Sequence, residues 1–246
     1  MANCNWYLYY IFYLFYNTIH SHYILRLMLK KQRLQIAIDG VAGSGKTTIA
    51  KKLANYLGFY HFSTGNIFRS FALILHNDAN LEAKNVKKKI KNVSLKIIKN
   101  KIILNGKDVS NLLFDPKISK IASLISGQKY VRKKYRKLVK KISKQEKIIL
   151  DGRDIGTVIL PKAKYKFFFV ASPEIRAKRR LGQLKLSLSN LKKTIDAIKK
   201  RDIEDKKRSI SPLKPAKDAI IVDTSKLTIT KVFNFVVKNI SECKNN

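Results

Sequence analysis

IAIDGVAGSGKTTIAKKL, residues 36–53, runs from an apolar stretch through a glycine-rich turn into a helical pattern. Leu34, Ile36 and Ile38 read as a buried strand ending at Asp39. Ile49, Leu53 and Leu57 recur at helical spacing, and Gly58 is a helix stop. Between strand and helix, Gly40, Gly45, Lys46 and Thr47 fit G-x-x-x-x-G-K-[ST], the spacing of a phosphate-binding loop. The glycines let backbone N–H groups turn inward at no steric cost. With the helix N-terminus, those groups form a positive concavity for phosphate oxygens. Gly40, Val41, Ala42, Gly43, Ser44, Gly45, Lys46, Thr47 and Thr48 are therefore the expected cradle. Lys46 is expected to reach terminal phosphates, and the Thr47 hydroxyl to ligate Mg²⁺. An accidental glycine-rich turn is the plainer reading, but strand, loop and helix all fall where the motif requires them.

Outside this stretch, KIILDG (147–152), KFFFVAS (166–172) and DAIIVDTS (218–225) read as further buried strands, and FYHFSTG (59–65) as a weaker one. Helical patterns separate most of them, which implies a parallel sheet with helices on both faces. Ligands on such a sheet bind at the carboxyl ends of the strands. Asp39, Asp151 and Asp223 each follow an apolar run and are expected along that edge. VSLKIIKNKIILNGKDVS (93–110) breaks the alternation: short strands join at KNK, and NG marks another turn. It reads as a small antiparallel insertion, either a decorative hairpin or a substrate-covering subdomain.

The chain has 246 residues, 45% of them hydrophobic, which supports a sizeable core and excludes global disorder. Cys4 and Cys243 lie near opposite ends, so neither a disulfide framework nor a cysteine metal cluster is present; this suits a reducing cytoplasm. Fifty-two basic against 16 acidic residues give a net charge of +36. Such an excess fits nucleic-acid binding or attraction of anionic substrates. The lysines, however, spread along almost every segment of a chain rich in Lys, Ile and Asn, which favours a compositional origin. Weak, salt-sensitive polyanion binding follows in either case. WYLYYIFYLFY (6–16) is too short to span a bilayer, and no Lys or Arg precedes it as in a signal peptide. Residues 1–30 read as an aromatic extension, with Met28 the expected native start.

DGRDIGT (151–157) closes a predicted strand with two carboxylates flanking a guanidinium. Arg153 can bind phosphate bidentately, and Asp154 can accept from an amine. A structural Asp–Arg pair closing a turn is the alternative. Arg69, in STGNIFR, either reaches this site or decorates a helix. Arg176, Arg179 and Arg180 share a helix face that begins near Pro173. Guanidinium clamps are what a transferring phosphoryl group needs. Arg201, Asp205 and Arg208, at i, i+4 and i+7, are expected along one helical face, where an i,i+4 bridge would account for the first pair.

Taken in order, IDGVAGSGKTT, STGNIFR, DGRDIGT, RAKRR and KRDIEDKKRSISPLKPA resemble the cytidylate kinases of bacteria from about Gln35 to the C-terminal helix. The resemblance implies an α/β, P-loop NTPase-type fold: a five-stranded parallel sheet with helices on both faces, a small antiparallel insertion and a helical lid. It places a kinase domain at 31–246, a monophosphate-binding insertion at about 92–122 and the lid at about 173–195. It also implies roles. Arg69, Arg153 and Arg208 would hold the CMP phosphate. Ser123, Arg132 and Asp154 would read the cytosine edge, with Thr64 supporting the pocket. Arg201 and Asp205 would contact the sugar. Arg176, Arg179 and Arg180 would close over ATP. Glu204 and Lys206 stand where the family often has arginines, and VSNLLFDP lacks the arginine that usually follows DVS.

The expected reaction is ATP + (d)CMP → ADP + (d)CDP, with Mg²⁺ held by Thr47 and a carboxylate, Asp39 or Asp151. The expected protein is a cytoplasmic monomer with no membrane or specific nucleic-acid partner. The rival readings are a kinase for another small monophosphate and a nucleic-acid-binding P-loop ATPase.

Overall fold

The computed structural model describes residues 34–98 and 101–242. The aromatic run, the Met28 start, Cys4, Cys243 and the middle of the KNK turn lie outside the described residues. In chain order the elements begin β1 (Leu34–Gly40), α1 (Lys46–Leu57), β2 (Tyr60–Ser63), α2 (Gly65–Ile74) and α3 (Ala83–Ile90). The insertion follows as β3 (Leu95–Ile98), β4 (Lys101–Leu104) and β5 (Lys107–Asp108), then α4 (Pro116–Ile125) and α5 (Lys129–Ile142). The rest is β6 (Lys147–Gly152), β7 (Tyr165–Val170), α6 (Pro173–Leu184), α7 (Leu191–Lys207), β8 (Ile220–Asp223) and α8 (Ile229–Glu242).

Five strands form one sheet in the order β2-β6-β1-β7-β8, and every pairing is parallel. Strand periodicity sorts side chains to opposite faces. Ala37, Phe62, Ile148 and Leu150 pack with Phe68 and Phe71 of α2, Ile125 of α4 and Tyr135 and Val139 of α5. Ile36, Ile38, Ile149 and Phe167 pack with Ile49 and Leu53 of α1 and Val236 and Ile240 of α8. Both faces are thus covered, which explains why these strands read as continuous apolar runs rather than alternating ones.

The phosphate-loop stretch folds as strand, loop and helix, with β1 running one residue further than expected, to Gly40. Gly40 has φ 146°, and a Cβ there would lie 2.1 Å from the Phe169 carbonyl oxygen on β7. Gly58 caps α1 in the left-handed region, φ 69°. The segment after β2 turns directly into α2, which sets Arg69 on the sheet's carboxyl edge.

The insertion is an antiparallel sheet, β3-β4-β5, with Asn105 (φ 49°) and Gly106 (φ 85°) at the turn that the NG pair marks. Its Leu95, Ile102 and Leu104 join the core formed by α2, α4 and α5. The chain then enters α4 through Asp115, whose carboxylate accepts from the Lys117 amide at 2.6 Å, with Pro116 in the first turn. At the other end of the sheet, α6 and α7 pack together as a helical hairpin. Ser172 Oγ accepts from the Ile175 amide at the start of α6, and Lys185 (φ 52°) ends it. Among the described residues, no helix is long and apolar enough to cross a membrane.

Two loop glycines should separate by mechanism. Gly45 has φ 85° with nothing within 4 Å of an added Cβ, so Gly45→Ala meets only backbone strain, about 1–2 kcal/mol. Gly40→Ala drives a methyl into the β7 backbone and should cost about 3 kcal/mol or more. Urea denaturation of both variants checks the order, and equal losses would contradict the packing of β1 on β7.

Candidate active site

The carboxyl edge of the sheet opens into a cavity of about 700 Å³. Ala42, Gly43, Ser44, Gly45, Lys46, Thr47 and Thr48 line one side of it. Gly40 and Val41 stay beneath the loop, outside the lining. Lys46 is buried, and its Nζ donates to the Val41 carbonyl at 3.1 Å. Burial, and next to it the charge of Arg153, hold this ammonium well below the ordinary lysine range. A buried ammonium with other cations near it can be compensated by phosphate oxygens.

Of the three aspartates at strand ends, only Asp151 lines the cavity. Thr47 Oγ1 donates to its Oδ2 at 2.9 Å, Ser63 Oγ to the same oxygen at 3.1 Å, and His61 Nε2 lies 2.7 Å from Oδ1. Burial pushes the Asp151 carboxyl up, but His61, Lys46 and Thr47 outweigh it and leave it below the usual range. Thr64 Oγ1 donates to the Asp151 carbonyl at 2.9 Å, which ties the start of α2 to β6. Asp39 is committed elsewhere: the amides of Ile155 and Gly156 donate to its two oxygens at 2.8 and 2.7 Å. Burial raises its carboxyl to about 7 against the pull of those amides. Asp223 accepts from the Ser225 amide and hydroxyl at the surface.

Across the cavity stand Arg69, Arg153, Arg201 and Arg208. The expected Arg201–Asp205 bridge does not form. Instead Arg153 Nε donates to Asp205 Oδ2 at 2.9 Å, and Arg208 Nη1 lies 3.5 Å from Oδ1. Arg208 is not on the helical face either, because α7 ends at Lys207 and Arg208 follows in an extended conformation, φ −56°, ψ 134°. Its Nη1 donates to Ser126 Oγ at 3.0 Å. Arg69 Nη1 donates to Asn66 Oδ1 at 3.2 Å. Arg201 Nε and Arg208 Nε and Nη2 are buried with no acceptor in the protein. Burial, then the repulsion of Arg153, lowers Arg201 to about 10, and burial also lowers Arg69 and Arg208. Buried donors without acceptors, on mutually repelling cations, call for an anionic ligand.

The residues expected at the cytosine edge also converge. Arg132 and Asp154 are both buried and joined at 2.9 Å. The Arg132 guanidinium lies 4.9 Å from the Phe68 ring centroid, and its Nε donates to the Ser126 carbonyl at 2.5 Å. Ser123 lines the same wall. Neither carboxylate of DGRD therefore closes a turn with Arg153: Asp154 turns to Arg132, and Arg153 turns to Asp205.

The helical hairpin supplies the remaining arginines. Arg176 is 2% exposed; it donates to the carbonyls of Ala171 and Ala42 at 2.9 and 3.2 Å and is bidentate to Asp202 at 3.1 and 2.5 Å. Arg179 donates to the Thr224 hydroxyl and carbonyl, and Thr224 Oγ1 donates to the Ser44 carbonyl at 3.0 Å. Arg180 lines the cavity. From the insertion region, Phe114 and the α4 residues Ser119, Ala122 and Ser123 line it, while the strands β3, β4 and β5 do not. Glu204, Lys206 and Asn111 are exposed and outside the lining.

Sequence reasoning missed His61, Phe68, Ser126 and Asp202. Each acts on a group more than 25 residues away or across a loop, so no local periodicity flags it. Only the RD pair at 201–202 offered a hint, a carboxylate beside a candidate arginine.

A family model described as cytidylate kinase matches residues 36–242. A cytidylate kinase of Thermosipho melanesiensis is 40% identical over 214 residues, covering 85% of this chain and 98% of that protein. One from Fusobacterium nucleatum is 41% identical over 214 residues with the same coverage. Among solved structures, a shikimate kinase from Acinetobacter baumannii aligns over 90% of this chain and 99% of its own, at 11% identity and a TM-score of 0.50, a likeness of fold alone.

Arg132 and Asp154 compensate each other in the interior. Removing one partner of such a pair strands a buried charge at about 3–5 kcal/mol. Arg132→Met should therefore lose stability on that scale, and adding Asp154→Asn should recover part of the loss. Denaturant midpoints for the single and double variants check this; strictly additive losses would contradict the pairing.

Proposed function

The chain belongs to the cytidylate kinase family, and on that premise we propose that it transfers the γ-phosphoryl group of ATP to CMP or dCMP, giving ADP and CDP or dCDP. The observation that carries this is one cavity with the phosphate loop on one side and Arg69, Arg153, Arg201 and Arg208 on the other. Two phosphate-bearing ligands can meet there end to end.

The donor side is the loop, with Lys46 at the terminal phosphates and Arg176, Arg179 and Arg180 from the hairpin at about 173–195, which acts as the lid. Lys46 exchanges its contact to the Val41 carbonyl for phosphate oxygens. Thr47 and Asp151 fit Mg²⁺, since a hydroxyl and a depressed carboxyl face each other at 2.9 Å, whereas both oxygens of Asp39 are held by amides. When bound, Mg²⁺ screens the charge of the β- and γ-phosphates. On the acceptor side, Arg69, Arg153 and Arg208 take the CMP phosphate. Arg201 and Asp205 contact the sugar. Ser123, Arg132 and Asp154 take the cytosine edge, at the α4 end of the insertion at 92–122.

The nucleophile is an ionised phosphate oxygen, so no general base is required. The protein's contribution is placement of two anions in line and stabilisation of charge as it shifts. Lid closure excludes water and suppresses ATP hydrolysis. The form proposed for this activity is a monomer in the cytoplasm, where the nucleotide substrates are at hand. A coupled assay of ATP with CMP, dCMP, UMP and AMP tests the reading. Turnover with UMP or AMP but not CMP would overturn it, as would ATP hydrolysis stimulated by RNA or DNA without transfer to CMP.

Two variants divide the sides. Lys46→Ala should lower kcat about 100- to 1000-fold, with a smaller effect on binding. Asp205→Ala should lower kcat/KM for CMP and dCMP by about 10- to 150-fold, because Arg153 and Arg208 lose their shared acceptor, while the KM for ATP changes little. A change under about twofold with both pyrimidines would contradict the acceptor-side assignment.

A further inference from the structure

One helical turn of α7 faces both halves of the cavity. Arg201 and Asp205 are four residues apart and project to the acceptor side. Asp202 is offset by about 100° of helix rotation and turns instead to α6, where both its oxygens take the Arg176 guanidinium. That guanidinium sits against the phosphate loop. Its Nη1 is shared between Asp202 Oδ1 and the Ala42 carbonyl, and a Cβ on Gly43 would lie 3.3 Å from the Arg176 Cβ. Residues 201–205 form one continuous turn within α7, so a displacement of Arg201 or Asp205 carries Asp202 with it. Arg201 has reason to move: its Nε is buried without an acceptor.

Resting on the proposed reaction, we infer that Asp202 is a positioning residue that couples the two nucleotide sites. An acceptor phosphate and sugar engaged by Arg201 and Asp205 fix the turn; the turn fixes Asp202; Asp202 holds Arg176 on the apex of the phosphate loop, where the donor binds. The alternative is that Asp202 only neutralises a buried arginine. Neutralisation affects stability and both sites alike. Coupling affects the dependence of one site on the other.

The test is calorimetric titration of Mg²⁺ and the non-transferable analogue AMP-PNP, with and without CMP, in wild type, D202N and D202E. In wild type, CMP should tighten AMP-PNP by about 5- to 150-fold, and AMP-PNP should tighten CMP by the same factor. D202N should cut that factor about tenfold or return it to one, with affinity for CMP alone within about twofold. D202E should restore part of it. Should D202N fail to fold, Arg176→Lys keeps the charge, cannot bridge Ala42 and Asp202 together, and should lose the same coupling. Two results overturn the inference: no coupling in wild type, or a folded D202N protein with an unchanged coupling factor, whatever its Tm. A wild-type protein that couples the ligands yet transfers nothing to CMP would overturn the reaction and leave the role of Asp202 standing.

Discussion

Arg69, Arg153, Arg201 and Arg208 crowd the acceptor side of the cavity, and the Asp205 carboxylate makes that arrangement tolerable. Its burial favours the neutral form, but Arg153, Arg208 and Arg201 together hold it ionised. One carboxylate beside those four cations leaves that side of the cavity positive, which a nucleotide phosphate can discharge. The same contacts are mechanical. Through Arg153, Asp205 pins α7 to the end of β6, and through Arg208 the chain beyond α7 is pinned to Ser126, between α4 and α5. The orientation of the helical hairpin follows from an electrostatic requirement of the site.

The loop side solves the opposite problem. Its lysine is desolvated, with Arg153, Arg201 and Arg69 opposing its charge and Asp151 favouring it. Strain is confined to the glycines, where φ values of 76° and 85° at Gly43 and Gly45 cost little. Rigid supports surround it: Asp39 clamps the turn after β6, Thr224 bonds the Ser44 carbonyl, and Arg176 bonds the Ala42 carbonyl. Preorganisation of this kind is what phosphoryl transfer draws on.

Much of this was readable in the chain. The apolar strand and helical patterns around residues 34–58, the turn at Asn105–Gly106 and the helix start near Pro173 all report local backbone preferences, and local preferences survive folding. What periodicity could not supply was partner choice. Arg201 and Asp205 sit at ideal bridge spacing, yet Asp205 takes two arginines brought in from just past β6 and from beyond α7, and Arg201 beside it keeps a buried Nε unbonded. Arg208 leaves the predicted helical face because α7 stops one residue earlier. Asp202 and Phe68 act only across the fold, and Ser126 joins its neighbour Arg132 to the distant Arg208, so these roles follow from topology.

The three-stranded insertion looks from the sequence like an addition, yet Leu95, Ile102 and Leu104 are buried in the same apolar cluster as Phe68, Tyr135 and Leu150. Phe68 is also the ring beneath Arg132. The insertion is therefore no cassette. Exchanging it between related enzymes would transplant half of an interface, and the recipient's α2 and α5 would have to co-vary with it. Descent should have kept those segments together as one inherited block, with change concentrated on the strands' outward faces, where residues such as Lys96 and Ile98 are exposed.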